Sequence, residues 1–115
     1  MIRDVGAPLA FGTDWPVSPI SPLYAIHCAL IRKPWAPDTP DQRLTLDECL
    51  EAYTMGGAYA DFAEQRRGKL QVGFDADLVL VEGSLEGLAT KETAAKVALT
   101  VCAGTITHNA FGVEN

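Results

Sequence analysis

The chain has 115 residues, 48% of them hydrophobic, with 9 Lys and Arg against 15 Asp and Glu for a formal charge of −6. That length suits one ordinary domain with its own core and excludes a complete (β/α)8 barrel, which takes roughly 250 residues. The acidic balance and the scattered Lys33, Lys69, Lys91 and Lys96 argue against nucleic-acid binding, and no run approaches the ~18 apolar residues of a membrane span.

Met1-Ile2-Arg3-Asp4 lacks the apolar block of a signal peptide. Pro8-Leu9-Ala10-Phe11-Gly12 is a short apolar run ending in the polar turn Thr13-Asp14-Trp15-Pro16, which predicts a brief buried strand opening into a loop. Ser21 is placed to cap a helix, and Pro22 suits its first position because the missing N–H has no intrahelical partner there. Leu23, Ile26, Leu30 and Ile31 then fall at helical spacing until Pro34 stops the run. Strand, loop and helix together make a β-to-α unit.

Trp35 to Asp41 is Pro-rich and aperiodic, so it reads as an irregular surface connection. Thr45-Leu46-Asp47-Glu48 has the form of a capping box, the Thr hydroxyl and the Glu carboxylate each satisfying a backbone donor of the other. Leu46, Cys49, Leu50 and Tyr53 supply an apolar stripe, and Gly56-Gly57 is expected to break it before a second short helix through Ala58, Tyr59, Phe62 and Ala63. The pair reads as a helical hairpin with Tyr53, Tyr59 and Phe62 in the core.

Arg66, Arg67 and Lys69 read as a solvated linker, and a boundary in composition lies near Arg66. Beyond it, Leu78-Val79-Leu80-Val81 predicts a strand, with Asp75 bonding turn backbone and Asp77 anchoring its start. Val97, Leu99 and Val101 alternate with Ala98, Thr100 and Cys102, and Ala103-Gly104 turns the chain into Thr105-Ile106-Thr107 as a hairpin. Residues 83–96 are ambiguous, with a helical piece expected around Thr90 to Ala95. Cys28, Cys49 and Cys102 lie far apart with no Cys-x-x-Cys spacing, which predicts buried free thiols in a reducing, cytoplasmic setting.

Two segments carry a resemblance. Phe11-Gly12-Thr13-Asp14-Trp15-Pro16-Val17 resembles the end of the last barrel strand of the amidohydrolase superfamily, in the branch of N-substituted formamide deformylase-like enzymes (amidohydrolase family 3). Gly68-Lys69-Leu70-Gln71-Val72-Gly73-Phe74-Asp75-Ala76-Asp77-Leu78-Val79-Leu80, readable as G-x-L-x-x-G-x-x-A-D-L-V, is similar to that superfamily's return into its small β-sandwich. Between them, Gln42-Arg43-Leu44-Thr45-Leu46 and Ala52-Tyr53-Thr54-x-x-Gly57-Ala58-Tyr59-Ala60 match the same branch in the same order. The likeness runs from about Leu9 to His108 and covers the C-terminal portion only.

The resemblance implies a role for Asp14 as a ligand of a catalytic divalent metal, most simply zinc, and as the acid that takes the attacking water's proton and passes it to the leaving amine. The plain alternative is an Asp that bonds backbone N–H groups in its own turn. The other metal ligands the resemblance implies, a His-x-His pair among them, have no counterpart here. His27 and His108 match no ligand position and read as ordinary helix and strand histidines. Trp15 and Ser18 are candidates for the rim of a substrate pocket, against the simpler reading that Trp15 packs the turn.

The expected fold class is therefore α/β: residues 1–65 as the last β-α unit of a metal-dependent hydrolase (β/α)8 barrel plus trailing helices, and residues 66–115 as part of the C-terminal β-sandwich domain. The expected function is hydrolysis of non-peptide C–N bonds, amides or formamides, by a larger molecule in which this chain supplies Asp14 and the rim, the chain alone being inactive and binding no metal tightly. The competing expectation is a non-catalytic binding or structural module. Expected partners are a small-molecule amide in the intact enzyme, and either the missing N-terminal barrel region or a second copy against the open sheet edges, with no nucleic acid and no membrane.

Overall fold

A computed structural model describes residues 2–112. Ser21 caps the first helix, α1 (Pro22–Ile31), its Oγ accepting from the Tyr24 N–H at 3.4 Å with Pro22 in the first turn. The capping box forms as expected at α2 (Leu46–Tyr53): Glu48 N–H donates to Thr45 Oγ1 at 3.3 Å, and Thr45 N–H donates to Glu48 Oε2 at 2.7 Å. These caps satisfy first-turn donors that have no intrahelical acceptor, so both helix starts are locally determined.

The helix that follows, α3 (Met55–Ala60), departs from expectation. Gly56 and Gly57 lie inside it and the break falls at Thr54, a one-residue connection too short for a helical hairpin loop of about two to five residues. Gly56 is required by approach: a Cβ there would lie 1.9 Å from the Leu9 carbonyl oxygen, so the run before Phe11 presses directly on the α3 backbone. Tyr59 is exposed and Phe62, beyond the helix at φ 55, is 94% exposed, so neither joins the core. The helix stops short of Phe62, and the chain reverses there.

Residues 8–12 form no strand. The Phe11 N–H donates to the Ala52 carbonyl at 3.1 Å, so the run is fastened to helix α2 and has no ladder neighbour among the described residues. Three strands do form, β1 (Leu78–Gly83), β2 (Ala95–Cys102) and β3 (Thr105–Asn109), in the antiparallel order β1-β2-β3. Leu80 pairs with Leu99 and Thr100 with His108, and each ladder shifts register once, at Leu80/Val81 and at Thr100/Val101.

The β2–β3 turn is Ala103-Gly104, as the sequence predicts, with φ 47 and 81 matching the twist of a tight hairpin. Asp77 holds it, Oδ1 accepting the Ala103 N–H at 2.7 Å. Asp75 differs from its expected role: its carboxylate pairs with Arg66 at 3.3 Å instead of bonding the turn. The helical piece of residues 83–96 is a 3-10 turn at Glu86–Ala89, ahead of the expected Thr90 to Ala95.

One core joins the helices to the sheet. Ile26 of α1, Cys49 of α2, Leu88 of the 3-10 turn and Ala95 of β2 are buried together, with Phe11, Leu44, Leu50 and Tyr53 packed around them. Among the described residues the result is a small α/β architecture of three α-helices and one antiparallel sheet. Packing at Gly56 makes a sharp contrast testable: Gly56→Ala is expected to destabilise the chain by about 1–3 kcal/mol through overpacking. Gly57→Ala, which meets nothing within 4 Å, is expected to stabilise it by about 0.5–1 kcal/mol. Urea unfolding of the two variants beside the wild type measures both, and equal midpoints would contradict the packing described.

Candidate functional site

Asp14 stands in a loop that closes on itself without using the carboxylate. Its backbone carbonyl accepts the Val17 N–H at 2.8 Å across a cis Trp15-Pro16 bond, the form of a type VI turn. The Ser18 hydroxyl donates to the Thr13 carbonyl and fastens the other end. Asp14 itself has φ 54 and an exposed side chain, and its carboxylate makes no hydrogen bond among the described residues. The plain alternative of a carboxylate satisfying its own turn is therefore not what the structure shows. Asp enters the left-handed region more readily than most residues, and such conformations cluster at functional sites.

Trp15 is 65% exposed beside Asp14, so it does not pack the turn. Ser18 is half-buried and holds the loop through Thr13. Among the sequence candidates, Asp14, Trp15 and Ser18 thus share one short loop, while the histidines lie elsewhere. The His27 ring Nδ1 lies 2.6 Å from the Leu88 carbonyl oxygen. A carbonyl only accepts, so Nδ1 carries the proton and the ring joins α1 to the 3-10 turn. His108 is exposed on β3.

Among the described residues no group of three or more His, Cys, Asp or Glu is arranged to hold a metal ion. Zinc sites draw on three or four protein ligands, so one carboxylate does not fit the requirement and no step through a metal follows from these residues. Neither Trp15 nor Asp14 lines the cleft of about 650 Å3 that opens between residues 6–9, α2, α3 and the segment 64–74. Among the described residues the Tyr53 hydroxyl and Oε2 of Glu64, a residue that also lines that cleft, are buried with no hydrogen-bond partner. No motif marks Glu64, and only its burial reveals it.

A model of the amidohydrolase family matches residues 2–108. The chain belongs to the amidohydrolase family. It is similar to the Protein LONG AFTER FAR-RED 3 of Arabidopsis thaliana, 35% identical over 99 residues that cover 84% of this chain and 17% of that protein. It is also similar to the putative amidohydrolase YtcJ of Bacillus subtilis (strain 168), 33% identical over 79 residues, covering 64% of this chain and 15% of that protein. With the N-substituted formamide deformylase of Arthrobacter pascens it shares 30% identity over 91 residues, covering 77% of this chain and 17% of the enzyme. The chain thus spans less than a fifth of the length of the curated relatives it matches. No solved structure matches.

The chain's three cysteines are all free, as expected, but only Cys49 is buried, Cys28 and Cys102 being exposed. The stripe of α1 that carries Ile26 faces inward and leaves Cys28 outside, while β2 ends in solvent at Cys102. Burial, aided by the nearby Glu48 charge, pushes the Cys49 thiol above its ordinary 9.0, and burial likewise raises the Tyr53 phenol above 10.0. Both groups hold their protons more tightly folded than unfolded, so the stability they contribute is complete below those ordinary values and is lost as pH rises through the folded ones. Thiol titration with a chromogenic disulfide is expected to find Cys28 and Cys102 reactive in the native chain and Cys49 only on unfolding. A third thiol reacting at the same rate in buffer would show that the core is open.

Proposed function

We propose that this chain is the C-terminal part of a metal-dependent amidohydrolase that cleaves non-peptide C–N bonds of small amides or formamides. In this reading residues 1–65 are the last β-α unit of a barrel with its trailing helices, and residues 66–115 are part of a β-sandwich. The observation that carries it is Asp14: an exposed carboxylate, unbonded among the described residues, held at φ 54 by a loop whose own bonds run through Thr13, Val17 and Ser18. Such a group is preorganised to take a proton from a water attacking the carbonyl carbon. It then returns that proton to the departing nitrogen as the C–N bond breaks. Trp15 supplies an exposed apolar wall beside it, and Ser18 fixes the loop that presents both.

Family membership brings the expectation of a divalent metal, zinc first, and this chain offers toward it one carboxylate. The other ligands belong to the longer parent, so the isolated chain binds no metal tightly and hydrolyses nothing. Three free thiols fit a cytoplasmic setting. A stand-alone binding module would be expected to close its sheet edges, whereas Leu78, Val79 and Leu80 of the edge strand β1 are 36%, 53% and 48% exposed.

Two measurements test the proposal together. Purified chain with added zinc is expected to show no formamide or amide hydrolysis and no stoichiometric zinc in calorimetry. In the full-length parent, Asp14→Asn is expected to lower kcat by roughly 10²–10⁴, the range for a general base, with KM little changed. Turnover by the chain alone, or an Asn variant as fast as the wild type, would defeat the assignment.

A further inference from the structure

We draw no further inference here: the strongest candidate, the surface patch formed by the exposed Leu78, Val79 and Leu80 on the edge strand β1, carries nothing because no observation among the described residues shows what covers it.

Discussion

The architecture turns on one buried junction, where Leu88, wholly buried in a single turn of 3-10 helix, packs against Ile26, Cys49 and Ala95 and gives its carbonyl to the His27 ring. Apolar contact alone would let a short turn slide on a helix surface. A hydrogen bond at 2.6 Å from a ring fixed on α1 sets its position, and a buried carbonyl left without a donor would cost about 1–3 kcal/mol. Everything downstream is placed by that junction: β2 begins at Ala95 in the same cluster, β1 is laid on β2, and the Ala103-Gly104 turn is tied back to Asp77. The last α-helix ends at Ala60 and the first strand begins at Leu78, and the core runs across that change.

What the sequence made legible is what is decided within a few residues. Ser21-Pro22, the Thr45 and Glu48 pair and the Ala103-Gly104 turn all act through bonds between near neighbours, and all three occur where their spacing puts them. The misreadings share a different cause. Residues 8–12 have a strand's composition, but a strand exists only with a ladder neighbour, and the run fastens to Ala52 instead. Gly56-Gly57 looked like a helix stop because glycine weakens helices, whereas Gly56 is there to admit the Leu9 carbonyl. Tyr59 and Phe62 lie at helical spacing from buried residues, but α3 stops at Ala60 and nothing covers that side of it.

The candidate site divides along the same line. Asp14, Trp15 and Ser18 are contiguous, so their meeting in one loop needed no long-range information, and the family likeness singled out the residue to weigh. Their individual conditions were not readable: that Ser18 holds Thr13, that Trp15 faces solvent and that the Asp14 carboxylate is left unbonded are consequences of how the loop folds. Glu64 had no signal at all. Its one distinguishing feature is a buried oxygen atom without a partner among the described residues, which only the folded chain reveals.

Three features share one physical character. β1 reads Leu-Val-Leu-Val, apolar on both faces, a pattern that suits a strand covered from both sides, but Leu78, Val79 and Leu80 remain substantially exposed. The run at residues 8–12 is composed as a strand and has no ladder neighbour among the described residues, and Oε2 of Glu64 is buried without a hydrogen-bond partner among them. Each lacks a contact among the described residues: apolar cover in one case, a strand ladder in the second, a hydrogen-bond partner in the third. All three fit the proposal that neighbouring segments of a longer amidohydrolase lie against this chain.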